Sequence, residues 1–203
     1  FKGANYGMWE YFYETGKKSM EGIIYGKNRE GEWKMYYENG QIKEQGEYKE
    51  NKRTGIWKQY FEDGHIKGEG EFKDDVATLY KEYDHTGKLK GEGSRTGNRN
   101  TGHWRYFAAD GSLDSEADFV LGKREGGWVR YFPSGKVYAK GQYINDEPAG
   151  KWEYFFETGN LSSAGEYKNG RKIGNWKTYS ASGQLKSDHT LTQGAGEYKE
   201  YYP

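Results

Sequence analysis

The stretch that decides the fold is residues 31–48, GEWKMYYENGQIKEQGEY. Large apolar side chains such as Trp33, Tyr36 and Ile42 flank a Glu-Asn-Gly triplet at residues 38–40. A glycine at the end of such a triplet is typical of a three-residue β-hairpin loop, because the last loop residue adopts a left-handed conformation that glycine favours. The stretch therefore predicts one β-hairpin.

The same hairpin pattern recurs along the chain with a period near 24 residues. The spacing is marked by Trp9, Trp33, Trp57, Trp104, Trp128, Trp152 and Trp176. The one long interval divides evenly if Tyr80 takes the place of a tryptophan. Self-similarity at a fixed period indicates a repeat architecture. We expect one array over residues 1–203, with units starting near residues 7, 31, 55, 78, 102, 126, 150, 174 and 196.

Short turn-rich links between the hairpins predict how they are arranged. Successive hairpins joined by short connections lie side by side, so we expect an all-β fold: an elongated, single-layer antiparallel meander of about nine units. Both ends of the sequence fall inside a repeat, whereas arrays normally end in atypical capping units. We therefore expect the chain to be a piece of a longer protein.

Conserved offsets from each tryptophan predict which side chains share a face of the sheet. The third residue after it is aromatic, the ninth is usually aliphatic, the thirteenth is small and the fifteenth is often aromatic. Because side chains alternate along a strand, these odd offsets are expected on one face and the tryptophan on the other. Tyr36 should lie opposite Ile42, and the small residue should leave room for a neighbouring ring.

Composition excludes several classes of function. The chain has 31 Lys plus Arg against 31 Asp plus Glu, so no global field attracts nucleic acid. The absence of cysteine excludes disulfides and thiolate metal sites. No apolar run approaches the roughly 20 residues of a membrane-spanning helix. We expect no nucleic acid partner and no membrane span.

Titratable residues do not form a catalytic or metal-binding pattern in the sequence. The histidines occupy different phases of the repeat and are predicted at the surface or in turns: His65, His85, His103 and His189. Acidic links at residues 74–75 and 145–147 lack the ligand spacing of a calcium loop. Basic links at residues 52–53, 123–124 and 171–172 are predicted to form a solvated edge. We therefore predict no enzyme activity, no catalytic residue, no metal and no cofactor.

The aromatic rows are the candidate contacts for a partner, although packing of the rings against the next hairpin is the favoured alternative. The candidates are Trp9, Trp33, Trp57, Tyr80, Trp104, Trp128, Trp152 and Trp176. The unit around Tyr80 differs from the others, because it is one residue shorter and carries Thr78, Asp84 and Arg95 at positions that are glycine or aromatic in most other units. This unit could be a bend, a contact point or a decayed repeat.

Residues 31–48 resemble the MORN-repeat variant family, and more closely its bacterial YwqK-type antitoxin proteins. The resemblance extends over essentially the whole chain. It implies a noncatalytic scaffold of consecutive hairpins that mediates protein–protein interaction, and the antitoxin resemblance implies a toxin as the partner. The alternative is a carbohydrate or cell-wall binding module that uses the aromatic rows. The compartment stays open, with the cell envelope or exterior favoured.

Overall fold

The computed structural model describes residues 6–192 and 195–200. Every regular element in these residues is a β-strand, so none of them forms a helix that could span a membrane. The strands are β1 (Tyr6–Phe12), β2 (Lys18–Tyr25), β3 (Asn28–Tyr36), β4 (Ile42–Lys49), β5 (Lys52–Tyr60), β6 (Ile66–Phe72), β7 (Val76–Tyr83), β8 (Leu89–Thr96), β9 (Arg99–Phe107), β10 (Leu113–Val120), β11 (Lys123–Tyr131), β12 (Val137–Ile144), β13 (Glu147–Phe155), β14 (Leu161–Lys168), β15 (Arg171–Tyr179), β16 (Leu185–Thr192) and β17 (Ala195–Glu200).

The chain divides into two compact units, Phe1–Asn100 and Thr101–Pro203. In the first unit, each strand from β1 to β8 pairs antiparallel with its neighbours in the chain. In the second unit, the same holds from β9 to β17. The predicted meander of consecutive hairpins is confirmed. Residues 201–203, part of the predicted ninth unit, lie outside the described residues.

The hairpin loops have the predicted three-residue geometry. The Tyr37 N–H donates to the Gln41 carbonyl over 2.8 Å, and the Gly40 N–H donates to the Tyr37 carbonyl over 2.9 Å. Gly40 adopts a φ of 89°, in the left-handed region. The same pair of bonds closes each of the other hairpin loops in the described residues, each with a glycine at this position. Glycine is required there because a side chain would be strained in that conformation.

A β-bulge follows each loop and changes which residues share a face. Tyr36 lies opposite Ile42, as expected, but the next pair is Met35 with Glu44. Lys43 is therefore an extra residue in β4, which is the definition of a bulge. Because one extra residue reverses the alternation of side chains, every position beyond it faces the opposite way from the simple expectation.

The predicted division of the two faces is consequently wrong. Trp33 lies directly opposite Gly46, and its ring contacts the Tyr48 ring edge-on at 6.1 Å, so these three residues share one face, here called the tryptophan face. Tyr36 points to the other face, here called the tyrosine face. Its hydroxyl donates to the Glu21 carboxylate over 2.5 Å.

The links between hairpins are tight turns that also join neighbouring repeats. Asn51 and Asp75 both have positive φ, as do the residues before them, which is typical of type I′ turns. The Asn51 side chain accepts the Arg29 N–H over 2.8 Å, and the Asn51 N–H donates to the Arg29 carbonyl over 3.2 Å. Asp75 makes the same two bonds with Arg53, at 2.8 and 3.1 Å. These reciprocal bonds fasten each of these two turns to the turn one repeat earlier.

The hairpin loops, which lie at the other ends of the strands, are joined in a similar way. The Tyr13 hydroxyl donates to the Tyr36 carbonyl over 2.6 Å, and the Tyr37 hydroxyl donates to the Tyr60 carbonyl over 2.7 Å. Each phenol therefore satisfies a backbone acceptor one repeat further along. Such bonds hold successive hairpins in a fixed relation where a deep aliphatic core is lacking.

Candidate functional site

Most of the predicted partner-contact rings are buried on the tryptophan face. The side chains with 0–4% exposure are Trp33, Trp57, Tyr80, Trp104, Trp152 and Trp176. Trp9 is 46% exposed, and Trp128 is half-buried. Because a buried ring offers no surface to a partner, only Trp9 and Trp128 are accessible as contacts in this structure.

Glycine at offset thirteen is what admits these rings. A Cβ added to Gly46 would lie 2.3 Å from Trp57 Cδ2, far inside van der Waals contact. The predicted room for a ring is therefore used, because a ring lies on the glycine of the preceding unit at five places. These rings are Trp33, Trp57, Tyr80, Trp152 and Trp176. The indole Nε1–H of Trp57 donates to the Glu47 carbonyl over 2.9 Å, so the polar atom of the ring is satisfied as well.

Cations from the inter-hairpin links cover the rings. The Arg53 guanidinium lies 4.3 Å from the Trp57 ring centroid and forms an ion pair with Glu44. Both charged residues are only 6% exposed. Lys172 lies 4.0 Å from the Trp176 ring. The predicted solvated basic edge is wrong at Arg53, because a flat, weakly hydrated guanidinium stacks on an aromatic face.

The unit around Tyr80 keeps this packing with the cation on the other strand. Arg53 lies opposite Tyr48 in the link between β4 and β5, whereas Ala77 lies opposite Arg95 in the Tyr80 unit. The Arg95 guanidinium lies 3.9 Å from the Tyr80 ring. It also pairs with Glu82 at 2.6 Å. Ala77 therefore stands where the preceding unit carries the cation Arg53, and Arg95 supplies the cation from a position that is aromatic in most units. These two departures compensate one another.

The Tyr80 unit is one residue shorter because its inter-hairpin bulge contains one residue fewer. Between β4 and β5, the register passes from the pair of Lys49 with Lys52 to the pair of Gln45 with Lys58, which leaves two extra residues in β5. Between β6 and β7, the corresponding passage leaves only one extra residue in β7. The shorter repeat is therefore accommodated locally.

Trp128 is less buried than its equivalents because its neighbour is not glycine. It lies opposite Ala117, whose methyl group occupies the space that glycine leaves empty elsewhere. The Trp128 ring leans on Trp152 instead, with the centroids 5.2 Å apart and the planes at 33°. The alanine was visible in the sequence, but its effect on the ring was not.

Two histidines contact one carboxylate among the exposed hairpin loops. His65 Nδ1 lies 3.1 Å and His85 Nδ1 lies 3.2 Å from the Asp63 carboxylate oxygens. The backbone N–H of His65 and the two imidazoles lower the pKa of Asp63 to about 2. The surface location was expected, but the meeting of two histidines was not. Within residues 6–192 and 195–200, no group of three or more His, Asp or Glu is placed to hold a metal ion.

The tyrosine face carries paired phenols and carboxylates. Burial and the hydrogen bond to Glu21 raise the pKa of Tyr36 to about 12. Tyr131 makes the same bond to Glu116 over 2.6 Å, and its pKa is also raised to about 12. These pairs extend the pH range over which the phenols stay neutral, from about pH 10 to about pH 12. They are structural contacts on a surface that is otherwise open.

Two adjoining depressions on the tyrosine face of the first unit were not foreseen. Their volumes are about 350 and 320 Å³, and both are lined by Ile56. The second is also lined by Leu79. The sequence signal was an apolar residue immediately before the tryptophan or its Tyr80 equivalent, where most other units carry a polar residue or glycine.

Together, the registered hairpins, the buried aromatic rows and the exposed tyrosine face define a β-hairpin repeat protein. The MORN repeat variant family model matches residues 29–50, 53–74, 79–95, 124–145, 149–169 and 172–191. Because these matches cover more than half of the sequence, the chain belongs to the MORN repeat variant family. The unmatched hairpins β1–β2 and β9–β10 have the same loop geometry as the matched ones.

Comparison with curated proteins finds no match. Among solved structures, the chain is similar to TarM, with 12% identity over 59% of this chain and 19% of that chain and a TM-score of 0.26. It is similar to TcdB2-TccC3, with 13% identity over 97% and 13% of the two chains and a TM-score of 0.22. For the Photorhabdus luminescens Tc holotoxin pore, the values are 11%, 96%, 15% and 0.25. The chain thus spans about a fifth or less of these structures, and such low TM-scores carry no argument about function.

Proposed function

We propose that this chain is a noncatalytic scaffold that binds another protein, in the manner of the YwqK-type antitoxin proteins or as a component of the cell envelope. The observation that carries the proposal is the use of the tryptophan face for the protein's own packing. Rings such as Trp57 are enclosed by glycine below and by Arg53 above. The surface left for recognition is the regularly spaced tyrosine face and the loop edges, which suit a protein partner.

The exposure of the titratable pairs also favours a binding function over a catalytic one. His65 and His85 pair with Asp63 in solvent, with side chains 63%, 66% and 49% exposed. His103 pairs with Asp118 at 2.9 Å on a similarly open surface. General acid–base catalysis needs groups that converge on a substrate in a sheltered site, which these pairs do not provide.

The test is affinity capture from native cells, with the immobilised chain as bait and an unrelated β-repeat protein of similar charge as the control. We expect a protein that is retained by the chain alone and released by an excess of the free chain. Mass spectrometry after chemical crosslinking identifies it and shows whether it resembles a toxin. Recovery of no specific protein partner would contradict the proposal.

A carbohydrate-binding function is the second candidate, and it depends on Trp128. This ring is partly accessible and lies beside Tyr143 at 6.1 Å and Trp152 at 5.2 Å. A glycan array probed with the native chain, Trp128→Ala and the buried-ring variant Trp104→Ala separates the two functions. Glycan binding that only Trp128→Ala abolishes would favour the sugar platform, whereas no binding by the native chain favours the protein scaffold.

A further inference from the structure

We propose that the tyrosine face of the first unit binds a basic, proline-containing segment of a partner protein, an inference that rests on the proposed scaffold function and specifies its ligand. The surface is an acidic–apolar strip formed by Glu47, Ile56, Glu71 and Leu79, one residue from each of the strands β4 to β7. Ile56 lies opposite Glu71, and Leu79 follows on the next strand. The strip therefore runs across the strands.

The apolar members of the strip are unusually exposed for a sheet face. Ile56 is 63% and Leu79 is 51% exposed. Single exposed apolar residues are common on proteins. These two are separated by only one strand, and they line the adjoining depressions of about 350 and 320 Å³. The depressions pass over Gly46 and Gly70, so their floor is backbone.

The two depressions contain more carboxylates than cations. They are lined by Glu32, Glu47, Glu69 and Glu71 and by the cations Lys58 and Lys81. In the described residues, Glu47 and Glu71 take part in no ion pair, whereas Glu69 in the neighbouring row pairs with Lys58 at 4.0 Å. Both side chains are exposed. Unpaired carboxylates that alternate with exposed apolar side chains are complementary to a segment in which basic and apolar residues alternate.

The spacing of the strip selects the conformation of that segment. Adjacent strands lie about 4.8 Å apart, so residues of the same type recur every ~9.6 Å along the strip. A polyproline II helix advances about 9.3 Å per turn of three residues, which matches this repeat. An extended β-strand presents the same face every ~6.6 Å and falls out of step. A basic side chain at every third residue can therefore meet both Glu47 and Glu71.

The second unit of the chain provides an internal comparison. At the position of Ile56 and Leu79 it carries no large apolar residue: His103, Gly127, Lys151 and Asn175. At the position of Glu47, one of its hairpins carries Gln142. Substitutions that copy these residues into the first unit are already tolerated at equivalent sites of the same fold, so they are suited to testing the strip.

The experiment titrates the ¹⁵N-labelled chain with a fluorescein-labelled peptide of four Lys-Leu-Pro repeats at low ionic strength, followed by backbone amide shifts and fluorescence anisotropy. We expect shifts concentrated in β4–β7. The double variant Ile56→Lys with Leu79→Lys should abolish binding. The double variant Glu47→Gln with Glu71→Gln should weaken binding by roughly three- to tenfold, because two exposed charge pairs are lost. Added salt should weaken binding to the native chain more than to the glutamine variant.

Several results would overturn the inference. These are no binding, shifts centred in the second unit, equal binding of a Glu-Leu-Pro peptide, or unchanged affinity in the lysine variant. Thermal unfolding of each variant shows that its fold is intact. If the native bait captures a specific protein but the peptide does not bind, the strip inference fails alone. If the bait also captures nothing, the scaffold function fails with it.

Discussion

Replacing the glycine beneath a buried ring is the most direct test of how this fold is held together. In Gly46→Ala, the new Cβ would lie 2.3 Å from Trp57 Cδ2 and 2.5 Å from Cε2 and Cγ. The ring must move away from its glycine floor. It would thereby disturb its contact with the Tyr48 ring at 4.8 Å and with the Arg53 guanidinium at 4.3 Å.

The expected cost follows from these contacts. Overpacking of a well-packed site costs about 1–3 kcal/mol, and a weakened cation–π contact adds about 0.5–1 kcal/mol. Alanine recovers about 0.5–1 kcal/mol of backbone entropy relative to glycine. We therefore expect Gly46→Ala to lower the free energy of unfolding of the first unit by about 2 kcal/mol. Urea titration followed by circular dichroism measures this difference.

A matched control uses a strand glycine with open space around it. An added Cβ at Gly7 would have no atom within 4 Å, and Gly7 does not have a positive φ. Gly7→Ala should therefore leave stability unchanged or slightly raised. A loss in Gly46→Ala no larger than in Gly7→Ala would refute the idea that the ring requires the glycine. Conversely, Ala117→Gly should let Trp128 settle more deeply, which a reduced quenching of tryptophan fluorescence by iodide would show.

Three further outcomes are expected. Arg95→Ala should destabilise the first unit by about 2 kcal/mol, because the Tyr80 ring loses its cationic cover and a partly buried ion pair is broken; Arg95→Lys, lacking the flat guanidinium, should not restore urea resistance. The phenol of Tyr36 should ionise near pH 12 in the folded protein, which would appear as a tyrosinate absorbance that is absent from Tyr36→Phe. The stabilisation of the fold by the bond between Tyr36 and Glu21 is present below the ordinary phenol pKa of about 10 and is lost as the pH rises through 12. The neighbouring Asp118 raises the pKa of His103. This pair should therefore stabilise the fold below pH ~6.5 and lose its effect as the pH rises through the raised pKa. An NMR titration that gives the same pKa for His103 in the native and Asp118→Asn proteins would contradict this.

The hairpins were predictable because their determinants are local. A glycine such as Gly40 can close a three-residue loop wherever the chain must turn, and this depends only on its neighbours. The pairing of Tyr36 with Ile42 follows directly from the loop length. The meander follows from the short links, which leave each hairpin no other place to go.

The burial of the candidate site could not be predicted from the same information. The tryptophan spacing shows where the rings recur, but whether Trp57 is open to a partner depends on Gly46 of the preceding unit and on Arg53 above it. The replacement of the link cation by Arg95 could not be recognised from the sequence either, because Arg95 is brought beside Ala77 only when β7 and β8 pair.

By itself, the sequence determined the repeat length, the loop positions and the antiparallel pairing, since these depend on residues close together in the chain. The tertiary structure decided which face each side chain occupies, because the single bulge residue Lys43 reverses the alternation that a regular strand would have. It also decided that Ile56 and Leu79 lie on one exposed strip. They are distant in the chain and are brought together only when strands from separate hairpins pair.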